Sequence, residues 1–199
     1  MRNAVSTREV RETILDATDE LLSQNGYKKM TIDDLAATVG IGKGSVYLHF
    51  ASKEEIVLSH IDRIIDRLKD ELKKIAALEI SAEERLRKML VTRVLFRFDS
   101  VQHYTQSLND LLAAIRPSLL ARRENYFAEE AEIFASVIET AEIFETENAL
   151  KSAETFLLAT NSLLPYSLTA QELGERGEIE EKTRQIANLL LKGLISRSK

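Results

Sequence analysis

The chain has 199 residues, of which 44% are hydrophobic, and a formal net charge of −5, which allows one large domain or two small ones. With no cysteine, a disulfide framework and any thiol-ligated metal or redox centre are excluded. No stretch approaches the roughly 18 apolar residues of a membrane span, and the opening M-R-N-A-V-S-T-R lacks the apolar core of a signal peptide, so the expected compartment is the cytoplasm.

In chain order, Val10, Ile14, Ala17, Leu21 and Leu22 recur at helical spacing and predict a first helix over about 6–25, closed by Asn25, Gly26 and Tyr27. Thr31 suits an N-cap, with Asp34 three residues on where an acidic side chain favours the helix dipole. Leu35, Ala36 and Val39 then form one apolar stripe, and Gly40 stands where a left-handed C-cap is needed. Ile41 can plug the corner. Gly42 or Lys43 opens the next helix, with Val46 and Phe50 inward and Lys43, Gly44, Ser45, Tyr47, Leu48 and His49 mostly outward. Ser52 and Glu55 make a second capping-box pattern, so a further helix starts at Lys53.

Two short helices around a glycine corner are how a helix-turn-helix reader of DNA is written. Within the second of them, glycines at 42 and 44 each cost about 1 kcal/mol relative to alanine. Close approach of backbone to a phosphate explains them, with Lys43, Ser45, Tyr47 and His49 supplying donors beside it. The competing reading is a tight helical hairpin inside an all-helical core, in which Tyr47 and Phe50 only pack.

The run from Thr31 to Ile56, above all G-K-G-S-V-Y-L-H-F followed by S-K-E-E, resembles the signature of the TetR family of bacterial transcriptional regulators. The likeness is close over about 8–60, including the Asn25-Gly26-Tyr27 ending of the first helix. Beyond that it extends only to length and helical content. Serine or threonine is commoner in the family at the position of Gly42, and larger polar or aromatic residues at that of Leu48. The resemblance implies that the helix from Gly42 to Phe50 enters the major groove. Thr31, Lys43, Tyr47, His49 and Lys53 would then grip phosphates, the backbone at Gly44 would lie close to the DNA, and Ser45 and Leu48 would meet base edges.

The net charge has the wrong sign for a protein that coats nucleic acid by electrostatics alone. Residues 1–55 carry seven cations (Arg2, Arg8, Arg11, Lys28, Lys29, Lys43, Lys53) against nine Asp or Glu, a net of −2. A local basic footprint remains possible, since Lys28, Lys29, Lys43 and Lys53 flank the reading helices while Asp16, Asp19 and Glu20 can face away. Modest non-specific affinity and a steep fall of binding with salt are expected.

Downstream, Val57, Ile61, Ile64, Ile65, Leu68, Leu72 and Ile75 define an amphipathic helix over about 53–78, which would span roughly 39 Å. Further helices are expected over about 81–98, opened by Ser81 and Glu84, and over 101–115. Pro117 suits the first turn of the next, running to about 141, followed by one over 147–170 and, after the G-E-R-G break at 174–177, a last helix from about 179. No segment alternates like a strand. The expected fold is therefore all-α, with a three-helix DNA-binding domain over 1–52 and a helical effector-binding and dimerisation domain over 53–199.

Leu150, Ala153, Phe156, Leu157, Thr160 and Leu164 on one late helix, and Ile186, Ala187, Leu189, Leu190, Leu194 and Ile195 on the last, fit core burial and dimer contact equally well. The family resemblance, in which the last two helices form a four-helix interface, favours a homodimer and hence a palindromic operator. Nine of the twelve aromatics follow residue 95. Among these and their polar neighbours, Arg93, Phe96, His103, Tyr104, Tyr126, Asn161 and Tyr166 are candidate contacts for a small hydrophobic or amphipathic effector. His49, His60 and His103 are scattered, and no zinc-protease, phosphate-loop or nucleophile-elbow motif exists, so neither an enzyme, a metal nor a cofactor is expected. The alternative function is a helical adaptor that binds protein and no longer reads DNA.

Overall fold

A computed structural model describes residues 7–102, 108–164 and 172–195. Its helices are α1 (Thr7–Lys29), α2 (Ile32–Val39), α3 (Lys43–Tyr47), α4 (Lys53–Ala76), α5 (Ala82–Gln102), α6 (Leu108–Glu139), α7 (Ala149–Asn161) and α8 (Arg176–Leu194). Among the described residues no strand forms, and the only extended pairing is an isolated bridge between Phe144 and Ile195. The protein is all-α, with an N-terminal helix-turn-helix and a C-terminal helical domain. No helix among the described residues is long and apolar enough to cross a membrane.

The described chain forms two compact units. One takes the residues up to Ile64 together with α6 as far as Leu120, and the other takes Ile65–Gln102 and the residues from Ala121 onward. In the first, Ile14, Leu15 and Leu22 of α1 pack with Leu35, Val46 and Phe50 around the turn. Ile56, Val57 and Leu58 join the same core, so the compact unit divides later than residue 52. Leu111 and Ile115 of α6 complete it. The second unit is built on Leu68, Leu72, Leu86, Met89, Phe134, Phe156 and Leu191, with α5, α7 and α8 in mutual contact.

Several expected boundaries move, among them those of the helices expected over 81–98 and 101–115, since α5 runs to Gln102 and α6 is described from Leu108. The first helix does break at Gly26, where φ is +73°, but a further turn carries α1 to Lys29. Pro117 opens no new helix, since α6 runs through it from Leu108 to Glu139. A proline there removes one helical bond and costs about 3 kcal/mol. Burial of Leu111 and Ile115 before it and packing of Leu119 after it hold the register, and the Ala113 carbonyl that loses its partner lies on the exposed side where water can reach it. Helix α7 ends at Asn161 rather than near 170; the residue before a proline is biased away from helical backbone, and Leu164 precedes Pro165. Helix α8 begins at Arg176, because only Gly174, with φ +87°, breaks the chain, and Gly177 is already helical.

Candidate nucleic-acid interface

The reader is fixed by its caps. Thr31 accepts a hydrogen bond from the Asp34 amide (3.1 Å) while the Asp34 carboxylate accepts from the Thr31 amide (3.0 Å) and hydroxyl (2.7 Å), a closed capping box. At the other end of α2, Gly40 adopts left-handed backbone (φ +75°, ψ 32°), which a side chain would disfavour. Its amide donates to the Ala37 carbonyl at 3.2 Å and the Ile41 amide to Ala36 at 3.0 Å, the double bond of a Schellman motif. These bonds set the angle at which the chain enters α3. The Ser52 hydroxyl accepts from the Glu55 amide (3.1 Å) and caps α4 in turn.

Helix α3 is a single short helix, and its turn continues through hydrogen bonds from Leu48 to Gly44 and from Phe50 to Val46. Val46 and Phe50 are buried, as the spacing predicts. Arg11 of α1 lies 4.3 Å from the centre of the Phe50 ring and donates to Ser59 of α4, tying three helices behind the reading face. On the outer side, Leu48 is 84% and Tyr47 49% exposed, and Lys43 and Gly44 are also exposed, whereas Ser45 and His49 are half-buried. The exposed Tyr47 and Leu48 thus stand on the same outer side as two glycines. A Cβ added to Gly44 would meet no atom of the protein within 4 Å, and one at Gly42 would only reach the Ser45 hydroxyl at 4.0 Å. Neither glycine has positive φ. Internal packing and backbone geometry therefore do not require them.

Electrostatics around this face are set by short pairs. The Lys43 ammonium donates to Asp33 at 2.8 Å across the turn, and that hydrogen bond and charge hold its pKa above the ordinary lysine value. Asp33 as the partner of Lys43 escapes a reading of the sequence, because the two meet only once the turn brings α2 and α3 together. Lys53 points inward: its ammonium donates to the carbonyls of Tyr27 (2.9 Å) and Met30 (3.1 Å) and sits 4.2 Å from the Tyr27 ring centre. Burial lowers its pKa. Two of the three N–H groups of an ammonium are thus taken up in closing α1, and the hydroxyl of Thr31 is likewise used in its capping box. Lys28 and Lys29 are exposed. The acidic face of α1 is turned to α4, where Arg63 meets Asp16 at 2.7 Å and Glu12 at 3.2 Å, and His60 meets Asp19 at 3.3 Å.

The candidate effector residues separate. Arg93 and Asn161 come together in the second unit, lining a cavity of about 20 Å³ with Val94, Arg97, Thr160 and Leu164. Phe96 packs against the core and, like Tyr126, does not line that cavity. His103, Tyr104 and Tyr166 lie outside the described residues. Glu130, at the centre of the Arg93 cluster, is absent from the expected set, because nothing in its local sequence distinguishes it from the acidic residues around it.

The N-terminal segment and the fold are similar to those of known proteins. The family model described as bacterial regulatory proteins, tetR family, matches residues 14–59. The fatty acid metabolism regulator protein of Bacillus subtilis is 31% identical over 77 residues, which cover 37% of this chain and 38% of that protein. The HTH-type transcriptional activator FasR of Mycolicibacterium smegmatis is 29% identical over 104 residues, 52% of this chain and 46% of the other. The chain thus spans less than half the length of these relatives. A solved transcriptional regulator from Cytophaga hutchinsonii superposes over 93% of this chain and 98% of its own, with a TM-score of 0.77 and 25% identity. Residues 14–59 thus carry the reader of the TetR family of bacterial regulatory proteins, and the chain as a whole shares its fold with a solved transcriptional regulator.

Proposed function

We propose that the protein is a DNA-binding transcriptional regulator that works in the cytoplasm as a homodimer on a palindromic operator. The observation that carries this reading is the outer face of α3, where Tyr47, Leu48, Lys43 and the bare backbone of Gly44 stand exposed with no internal reason for the glycine. Lys43, Tyr47 and His49 contact phosphates, and Ser45 and Leu48 meet base edges in the major groove. Thr31 and Lys53, engaged in the caps that hold α2 and α1, flank that face.

Dimerisation is supported by exposed leucines on the last two helices: Leu150 and Leu158 of α7 at 41% and 62%, and Leu189 of α8 at 72%. Apolar side chains standing in water on neighbouring helices favour a second copy over solvent. A two-fold pair presents the same face to two half-sites, whose centres then lie about 34–36 Å apart or a multiple of it. Repression is the simpler regulatory outcome, since occupancy of an operator excludes other proteins without a further contact. Release by a small hydrophobic or amphipathic effector requires a ligand that prefers the released geometry; coupling of about 1–3 kcal/mol changes operator affinity roughly 5- to 150-fold.

Selection of random duplex DNA by the purified protein, beside a Lys43→Ala, Tyr47→Ala double variant, tests the reading. A palindrome enriched by the parent alone supports it. A folded, dimeric parent that enriches nothing after denaturing extraction of co-purified ligand and refolding would instead indicate a protein-binding adaptor.

A further inference from the structure

Charge is unbalanced around one buried carboxylate among the described residues. Glu130 of α6 is fully buried and receives two arginines of α5: Arg93 through Nε at 2.5 Å and Arg97 through Nη2. Burial pushes the Glu130 carboxyl up, but Arg97 and Arg93 outweigh it and hold the group below the ordinary glutamate range. Two guanidiniums against one carboxylate leave a surplus of one positive charge. Arg93 is spent within the fold, donating also to Thr160 at 3.2 Å and Asn161 at 3.0 Å. The surplus therefore resides on Arg97, whose Nε is buried without a hydrogen-bond partner among the described residues. A charged N–H left in that condition costs free energy until an acceptor reaches it.

Arg97 lines the 20 Å³ cavity, and the polar side chains of the described residues that line it turn donors rather than acceptors to a ligand. Both Glu130 oxygens are taken by arginine. The Thr160 hydroxyl donates into its own helix and accepts from Arg93. Asn161 accepts from Arg93 through Oδ1, which leaves its amide N–H groups as donors. Val94 and Leu164 supply an apolar wall. A site with positive charge, side-chain donors and an apolar wall rejects amines, disfavours amides because their N–H groups find no acceptor there, and takes an acceptor-only anion. A planar carboxylate matches the arginine fork best, and the volume, enough for little more than one water, admits only its head.

We infer that this cavity binds the carboxylate head of a small monocarboxylic acid, with Arg97 as its ion-pair partner and Asn161 as a second donor. The inference rests on the reading of the second unit as the effector-binding part, and it narrows the effector to an anion. Saturation-transfer NMR on the full chain tests it with sodium butyrate, butyramide and equimolar sodium chloride as probes. Butyrate should give a saturable signal that chloride does not displace, butyramide less than a tenth of it, and Arg97→Gln should weaken butyrate binding at least tenfold. Equal signals from butyrate and butyramide, displacement by equimolar chloride, or an unchanged Arg97→Gln variant would overturn the site. If circular dichroism shows that Arg97→Gln does not fold, Leu164→Trp, which enlarges a lining side chain at the expense of the cavity, takes its place, and undiminished butyrate binding there is equally fatal. Operator affinity measured with and without butyrate separates the two readings. Butyrate that binds without altering affinity overturns the effector role alone, and loss of DNA binding in the absence of butyrate bears on the reader alone.

Discussion

The two units treat charge in opposite ways. In the reader, Lys43 and Asp33 pair with side chains 51% and 68% exposed, where water screens the attraction and little stability is gained. In the second unit Arg93 and Glu130 pair at 1% and 0% exposure, in a medium where an orphaned charge is severely penalised. A surface pair can exchange its partner: Lys43 trades Asp33 for a phosphate at little loss, and the trade is driven by counterions released from DNA. A buried pair cannot exchange partners so cheaply. It holds α5 to α6 in one arrangement and leaves the unbalanced charge to Arg97, the arginine that keeps an unpartnered N–H. Loosely held surface charge thus suits capture of a polyanion, and firmly held buried charge suits selection of one small ligand.

Removing the buried partner should produce the largest effect. Glu130→Ala leaves two arginines without their shared carboxylate and should lower stability by about 3–5 kcal/mol, read from urea unfolding. The same group makes the protein acid-sensitive. Because the folded carboxyl lies below its ordinary value of 4.5, the stability it contributes is fully present above that pH and is lost as pH falls through the lowered value. Unfolding midpoints taken below pH 4.5 should therefore fall more steeply in the parent than in Glu130→Gln.

Effects in the reader should be smaller and of both signs. Thr31→Ala opens the capping box and should cost about 1 kcal/mol. Gly44→Ala should do the reverse, stabilising the protein by up to about 1 kcal/mol through helix propensity while weakening operator binding, since the added methyl meets only the DNA. Stability gained without loss of DNA affinity would remove the case for close backbone approach. Lys43→Ala should leave stability nearly unchanged, yet reduce the slope of log affinity against log salt by about 1. An unchanged slope would mean that Lys43 stays with Asp33 on DNA.

The reader was legible because its signals are local. Thr31 with Asp34, Gly40, and Val46 with Phe50 act within one or two turns of chain, and all take the predicted positions. The second unit was legible only as helices. Its polar centre joins Arg93 to Glu130 and to Asn161 across 37 and 68 residues of chain, and no periodicity marks residues that meet at such separations. Pro117 misleads for a related reason: its local preference is to begin a helix, and long-range burial of Leu111 and Ile115 overrides it. Lys53 looks like a surface cation because the carbonyls it closes, those of Tyr27 at the end of α1 and of Met30 just beyond it, are more than twenty residues away in the chain.

Methylation interference on the selected operator tests the central claim, that the outer face of α3 reads duplex DNA, most directly. Guanine N7 opens on the major groove and adenine N3 on the minor groove. The account predicts that methylated N7 positions block binding in two symmetric clusters, centred about 34–36 Å apart or a multiple of that, and that the Lys43→Ala, Tyr47→Ala variant binds no operator from which such clusters can be read. Interference confined to adenine N3, or a single unsymmetric cluster, would contradict it.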